Sequence, residues 1–368
     1  MHKHENFFAK QRLVILMKNN KPMFLCELPP PYGGVTVKNQ LIIDNVFNNI
    51  EDVDVLDFMS CKRNPLKIFS LFFSLIKAFI SHRTIIYGFG SYKRLRSALK
   101  LQSFFGGKKS IQNTVNIVMG GAFQDRLKND SEYIKLISRI KVSLVETNGM
   151  KEKLNALGLK NVGVFPNAKS LDMSVSAKQR ANDDTVIKCV FFSQISREKG
   201  VDEIIKMNAL LSWQEKEKIQ IDFYGHIADN FHDEFSEFIN DNSNVDYKGV
   251  FDSAKGNVCK KLHEYDVLLF PTKWKGEGVP GILVESKMAG IVPIVSDHLY
   301  NSEIVIDNAE GIVLKNNTAE DLHQAIIKIM NDSVLFNNLA KGSFESRKRY
   351  ALETYQEMFE KLLNNGKD

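Results

Sequence analysis

The sequence predicts an α/β protein made of two consecutive Rossmann-like domains, and three observations carry that prediction. Short β-rich runs alternate with helix-period segments along the chain, the pattern of βα units and parallel sheets. The runs fall into two successive series separated by a polar stretch. The chain has 368 residues, 43% of them hydrophobic and 25% charged, which suits two globular domains, each with its own core. No long polar low-complexity tract suggests disorder.

In the first series the strand candidates are MFLCEL (23–28), VDVLDFM (53–59), RTIIYGF (83–89), TVNIVM (114–119), KVSLVET (141–147) and NVGVFPN (161–167). In the second they are VIKCVFFS (186–193), IQIDFYG (219–225), VDYKGVF (245–251), DVLLFPT (266–272), VPIVSD (292–297) and EGIVLK (310–315). Helical patterns cover 200–213, 257–265 and 319–332, and the stretch 344–365 reads as one long amphipathic helix. SLDMSVSAKQRANDDT, 170–185, reads as the linker, giving domains 1–169 and 170–344 and a terminal helical segment 345–368. Sites in open α/β sheets lie beyond the carboxyl ends of strands, so a cleft between two such domains is the expected site.

The charge is divided unevenly. The net charge is +5, but residues 1–170 carry +14 and residues 171–368 carry −9. Between Asp57 and Asp125 there is no acidic residue, whereas 11 Lys and Arg fall within 62–109. That stretch contains NPLKIFSLFFSLIKAFIS, 64–81, too short and too polar for a confident membrane span. It reads either as a helix lying on an anionic membrane surface or as one buried against a sheet with solvated lysines at its edge. No nucleic-acid motif accompanies the charge, so no nucleic-acid partner is expected. Cys26, Cys61, Cys189 and Cys259 lie far apart with no C-x-x-C pair, which fits buried thiols in a reducing compartment rather than a metal site. The apolar run Leu13–Met17 is too short for a signal peptide, so the expected location is cytoplasmic.

Three segments carry the chemistry. PPPYGGV follows the first strand candidate, and Gly33 and Gly34 at a strand-to-helix turn let backbone approach an anion. GFGSYKR (88–94) and GGKKS (106–110) each miss a glycine that the dinucleotide and P-loop fingerprints require. FFSQISREKG, 191–200, places Arg197 and Lys199 before a helix, where they can neutralise a phosphate. The strongest is PTKWKGEGVPGILVESKMAGIVPIVSD, 271–297: a strand end, a glycine-rich loop, then a helix from about Gly281. Its N-terminus can seat a phosphate. Glu277 in the loop and Glu285 one turn into the helix can bind hydroxyls at two parts of one ligand.

The Glu277-x7-Glu285 block resembles the signature of retaining nucleotide-sugar glycosyltransferases of family 4, with the GT-B fold, and is similar in flavour to bacterial polysaccharide-assembly members. PPPYGGV, FPNAK (165–169), FFSQISREKG, IDFYG (221–225) and YKGVF (247–251) follow in family order, so the resemblance covers most of the chain. It implies an acceptor-binding first domain, a donor-binding second domain, and a C-terminal helix returning to the first. Gly33 and Gly34 would approach the donor diphosphate, Lys199 would neutralise it, Glu285 would bind the ribose and Glu277 the transferred sugar. The backbone near Val250 would meet the base, and that of Gly278, Val279, Pro280, Gly281 and Ile282 would support sugar and phosphate. Gln194 stands where the family usually has a second cation, for which Arg197 could compensate. Met119 stands where it often has a histidine.

The implied reaction moves a sugar from a UDP- or GDP-type donor to a lipid-linked saccharide with retention, without a cofactor or metal ion. Two other readings are a non-catalytic nucleotide-sugar-binding subunit and a sugar epimerase on the same architecture.

Overall fold

The computed structural model describes residues 21–50, 53–60, 67–182, 184–253 and 256–363. The chain divides into two compact units, Met1–Pro166 with Leu352–Asp368, and Asn167–Ala351. All twelve strand candidates form strands, and every pairing is parallel.

The first unit holds β1 (Met23–Cys26), β2 (Asp54–Asp57), β3 (Ile85–Gly88), β4 (Thr114–Ile117), β5 (Val142–Val145) and β6 (Val162–Val164), in spatial order β2-β1-β3-β4-β5-β6. Chain order reverses between β1 and β3, so those two strand ends form the switch point of this sheet. Its helices are α1 (Gly34–Asn45), α2 (Lys67–Ile80), α3 (Tyr92–Gln112, bent at Gly107), α4 (Phe123–Leu127), α5 (Ser131–Ile137) and α6 (Asn148–Ala156). β1, β3 and β4 are wholly buried, as strands covered on both faces must be. The charged residue Lys38 on α1 is buried too, paired at 2.6 Å with Glu146 just past β5.

The second unit holds β7 (Ile187–Phe192), β8 (Ile219–Tyr224), β9 (Val245–Tyr247), β10 (Val267–Phe270), β11 (Val292–Ser296) and β12 (Ile312–Leu314), in order β12-β11-β10-β7-β8-β9. Its helices are α7 (Val201–Leu210), α8 (Trp213–Lys216), α9 (His232–Asp241), α10 (Val258–Leu262), α11 (Gly281–Ala289), α12 (Asn301–Ile304), α13 (Ala319–Asn331) and α14 (Ser333–Ser346). Here the order reverses between β7 and β10. The pattern over 200–213 divides because Ser212 and Glu215 form a capping box that starts α8.

Two sequence expectations change. The stretch 170–185 packs on the second unit: the Lys178 amide donates to Gly290 O, the Arg180 amide to Asn337 Oδ1, and the Arg180 guanidinium is buried. Its polarity reflects these bonds. The unit boundary falls at Pro166/Asn167. The segment 344–365 is not one helix. α14 ends at Ser346, two short 3-10 turns follow, and α15 (Gln356–Leu363) closes the described chain. The break has a local cause: Tyr350 O accepts the Lys169 amide at 2.8 Å, and Ala351 is extended and bridges to Lys169. Past it the chain belongs to the first unit, where Phe359 meets Phe47 and Phe165 edge-on at 5.6 and 5.1 Å.

Cys26, Cys189 and Cys259 are free thiols; burial raises all three, Cys259 to about 12. Cys61 lies outside the described residues. Among those, no helix is long and apolar enough to cross a membrane.

A buried charge network ties α11 to the end of α14. Lys287 is fully buried and donates to Glu310 and to Ser346, each at 2.8 Å. Arg349 reaches both oxygens of Glu310 at 2.8 and 2.7 Å. Burial pulls Lys287 down to about 8. Burial also opposes ionisation of Glu310, but Lys287 and Arg349 outweigh it and hold the carboxyl below its ordinary value. Glu310 therefore adds stability above the ordinary Glu range, and that contribution is lost as pH falls through its lower folded value. Glu310→Gln leaves Lys287 uncompensated and is expected to cost about 3–5 kcal/mol near neutral pH. Urea denaturation across a pH series checks both points: the wild type should lose stability on acidification, and the variant should lack that component.

Candidate functional site

The switch point of the second sheet collects the sequence-predicted residues. β7 and β10 are neighbours, with Cys189 opposite Val267 and Val190 opposite Leu268. Their following loops, 193–200 and 271–280, therefore emerge side by side at the carboxyl end of the sheet. Close backbone approach locks the first loop in place. Gly200 has φ +80°, and a Cβ there would lie 1.9 Å from Pro271 O. Gly225 has φ +144°, and a Cβ there would lie 1.8 Å from Ser193 O. Only glycine fits such positions.

The loops are then cross-linked. The Lys273 amide donates to Glu198 O at 2.8 Å, and its ammonium reaches Asp202 at 3.1 Å and Glu203 at 2.6 Å in the first turn of α7. Burial opposes ionisation of Glu203, yet hydrogen bonds from Lys273 and Lys206 hold it below the usual carboxylate range.

Lys199 and Glu277, 78 residues apart in sequence, meet at 2.5 Å. Both side chains are largely buried, at 12% and 14% exposure, yet still reach solvent. The Lys199 ammonium sits 4.9 Å from the Trp274 ring centroid and 5.9 Å from that of Phe270. Thr272 Oγ1 lies 3.4 Å from Glu277 Oε2.

Helix α11 begins at Gly281 after Pro280, and no side chain caps it. The Leu283 amide turns back to Pro280 O at 3.1 Å, and the helix dipole presents partial positive charge at this end. Glu285, one turn on, pairs at 2.8 Å with Lys169. A Cβ at Gly281 would lie 3.4 Å from Lys169 Nζ and 3.5 Å from Asn167 Nδ2. Asn167 also donates to Val279 O at 3.1 Å. Val279, Pro280 and Ile282 are buried, while Gly278 and Gly281 are partly exposed.

The arrangement is thus two lysine–carboxylate pairs beside an uncapped helix N-terminus. Lys169 lies in FPNAK, a segment whose order the sequence reading used without giving the lysine a role. It is the candidate-site residue that reading missed.

Val250 is 59% exposed and follows Gly249 in the left-handed region. Below it Phe192 and Tyr224 stack at 5.0 Å, and Phe251 meets Phe192 edge-on at 5.6 Å. This aromatic wall was legible only as isolated aromatics at strand ends.

Other expected residues lie elsewhere. Arg197 pairs with Glu234 on α9 and rests over Phe231 at 5.2 Å, so it does not join Lys199. Gln194 is exposed. Met119 follows β4 in the first unit and is buried. Gly33 caps α1, and its N–H is taken by Thr36 Oγ1 at 3.0 Å, which limits what it can offer an anion. A Cβ at Gly33 or Gly34 would meet nothing within 4 Å, so packing does not require either glycine.

Residues 172–350 match the family described as Glycosyl transferases group 1, so the second unit carries a glycosyltransferase domain. An uncharacterized glycosyltransferase of Methanocaldococcus jannaschii is 28% identical over 189 residues, covering 48% of this chain. The match spans only 46% of that relative's length. The N,N'-diacetylbacillosaminyl-diphospho-undecaprenol alpha-1,3-N-acetylgalactosaminyltransferase of Campylobacter jejuni is 23% identical, covering 85% of this chain and 86% of its own. Among solved structures, HepE of Anabaena in complex with UDP and glucose superimposes with a TM-score of 0.66 at 13% identity, covering 93% of this chain and 99% of its own. That likeness establishes the fold, two six-stranded parallel α/β units of the GT-B class.

Gly200→Ala combines a left-handed backbone with a clash against Pro271 O, and is expected to destabilise the protein by about 2–4 kcal/mol. Thermal unfolding measures this. A variant as stable as the wild type would mean that the 193–200 loop is not held against the β10 end.

Proposed function

We propose that the protein transfers a sugar from a UDP- or GDP-type nucleotide-diphosphate donor to a lipid-linked saccharide, with retention of anomeric configuration, in bacterial surface polysaccharide biosynthesis. The observation that carries this reading is the convergence of Lys199, Glu277, Glu285 and the uncapped N-terminus of α11 at one sheet switch point. A diphosphate needs a cation and oriented N–H donors, and sugars need carboxylates that accept from hydroxyls. All three are supplied by the loops after β7 and β10 and the start of α11. The Campylobacter relative, by its name, acts on a sugar carried by diphospho-undecaprenol, which supports the lipid-linked acceptor.

On this reading Lys199 turns from Glu277 to the donor diphosphate and leaves the carboxylate to accept from the transferred sugar. Glu285, oriented by Lys169, accepts from the ribose hydroxyls, and the aromatic wall beside Val250 receives the base. The acceptor oxygen attacks the anomeric carbon from the face the diphosphate leaves, and the departing diphosphate oxygen takes its proton. The new glycosidic bond forms as the sugar–phosphate bond breaks, with no enzyme nucleophile. Catalysis is then positioning together with stabilisation of the leaving diphosphate by Lys199 and the helix dipole. No metal ion or cofactor is required for this balance of charge.

Buried Met119 and the engagement of Arg197 by Glu234 favour one second reading, a non-catalytic nucleotide-sugar-binding subunit. Turnover by the isolated protein removes it.

The donor site is tested by calorimetric titration with UDP and GDP. Glu285→Ala should weaken binding of the preferred nucleotide by about 1.5–3 kcal/mol, the range for a hydrogen bond to a charged group. A loss of only a few tenths would place the ribose elsewhere. Lys199→Ala should lower kcat about 100- to 1,000-fold, as removal of one stabilising donor does. Unchanged turnover would exclude the lysine from the reaction.

The reading also places the protein on the cytoplasmic face of a membrane, held through the basic 62–109 region. Binding to vesicles of phosphatidylglycerol and phosphatidylethanolamine should weaken as salt rises. Absence of binding at low salt would withdraw the membrane from the proposal.

A further inference from the structure

The second unit contains a half-open cavity of about 700 Å³ at the end of its sheet opposite the candidate site. Val186, the residue before β7, Ile219 at the start of β8 and Val245 at the start of β9 all line it. The three strands are parallel, so these are amino ends. The length of β7, roughly 17 Å, separates them from the loop that carries Lys199. The volume is that of a ligand pocket.

One side of α8 forms a wall. Lys216 and Glu217 stand three and four residues after Trp213, hence on the same side, and all three line the cavity. Trp213 is 67% exposed. Its indole N–H, the Glu217 carboxylate and the hydroxyl of Ser243, another lining residue, have no partner among the described residues. Gln220 adds an exposed amide, and Asp246 a carboxylate that is paired with Lys248. Asn244 lines the same cavity and is only 9% exposed. Its Nδ2 donates to Asn208 Oδ1 at 2.8 Å and to Ile219 O at 3.2 Å, but its Oδ1 accepts from nothing among the described residues. A buried acceptor without a donor is costly, so this position calls for one.

The lining selects among ligands. Its one lysine, Lys216, already donates to Asn242 Oδ1 at 2.9 Å, and two carboxylates share the cavity, so a phosphate or nucleotide would meet like charge. An apolar segment would cover the indole but strip Glu217, Gln220 and Ser243 of water without replacing it. A peptide strand would seek the main-chain groups of β9, the edge of this sheet, in preference to side chains at the strand ends. A neutral saccharide suits the whole lining. Its ring C–H groups lie against an indole face, and its hydroxyls both donate to carboxylate and amide oxygens and accept from N–H groups.

We propose that this cavity is a second saccharide site, remote from the donor end, that takes a short neutral segment of glycan. Trp213 supplies the stacking face, and Glu217, Gln220, Ser243 and Asn244 take the hydroxyls. The inference goes beyond the transferase reading and does not rest on it, because none of these residues belongs to the loops after β7 and β10. A glycan held there stays with the protein without entering the reaction.

The chain has two tryptophans, so its indole N–H resonances are two, and Trp274→Phe assigns them. The full protein, labelled with nitrogen-15 at tryptophan, is titrated with maltotriose, mannotriose, galactotriose and triacetylchitotriose. At least one of these should shift the Trp213 resonance saturably in the millimolar range. The double variant Glu217→Ala, Ser243→Ala removes two exposed groups without internal partners. It should unfold at the wild-type temperature and bind that trisaccharide about ten-fold more weakly or worse. Trp213→Ala, followed by calorimetry, should lose the binding. Inorganic phosphate should leave the Trp213 resonance in place. The inference is overturned if no trisaccharide moves Trp213, if the shift is confined to Trp274, or if either folded variant binds as the wild type does. Saturable binding of phosphate at Trp213 overturns it as well. UDP and GDP, titrated in the same way, test the transferase reading separately, since their failure to bind leaves the Trp213 result intact.

Discussion

The contact between Gly200 and the carbonyl of Pro271 is the constraint on which the second unit's site depends. It brings the loop after β7 against the end of β10 at a distance no side chain would allow. Everything that follows is set by that approach. Lys199, the residue before the glycine, is delivered to Glu277, and the Lys273 amide is brought to Glu198 O. Parallel pairing of β7 with β10 puts the two loops at the same end of the sheet, and the reversal of strand order leaves room between the helices that follow them.

The site holds its charges in pairs. Lys199 with Glu277 and Lys169 with Glu285 are each mostly removed from water without being sealed from it. A buried unpaired lysine or carboxylate would be costly. A buried pair avoids that cost and presets the geometry of both partners. On the proposed reading, a diphosphate and a hydroxyl-bearing sugar exchange with the internal partners, so ligand binding replaces ion pairs instead of creating bare charges. The buried Lys287–Glu310–Arg349 network behind α11 is of another kind: it fixes the helix that carries the N-terminal amides.

The first unit solves a different problem. Its sheet is covered on both faces, but α2 is apolar around more of its circumference than its packing uses. Leu75, Ala78 and Phe79 are buried, while Phe69 and Phe73 face solvent. At the sequence level this helix was open between a surface and a core reading; one side of it closes the core, and the other faces solvent.

The alternation of β-rich and helical segments determined the twelve strands, because parallel strands buried on both faces leave short apolar runs that periodicity can find. The glycine-rich loops and the helix after Pro280 were also legible, and with them the position of Lys199, Glu277 and Glu285 on the segments that follow β7 and β10. Local pattern could not show partners. Nothing in 169 or 285 says that Lys169 meets Glu285, and nothing in 197 says that Glu234 claims Arg197; those pairings follow from strand order and helix packing. The amphipathic run 344–365 misled for the same reason, because a backbone bond from Lys169 to Tyr350, decided in three dimensions, outweighs a helical period. The sequence by itself therefore determined which elements form and which residues carry charge to their ends. Only the tertiary structure decided which charges are spent on each other, because burial and proximity between distant segments exist only once the sheets are assembled.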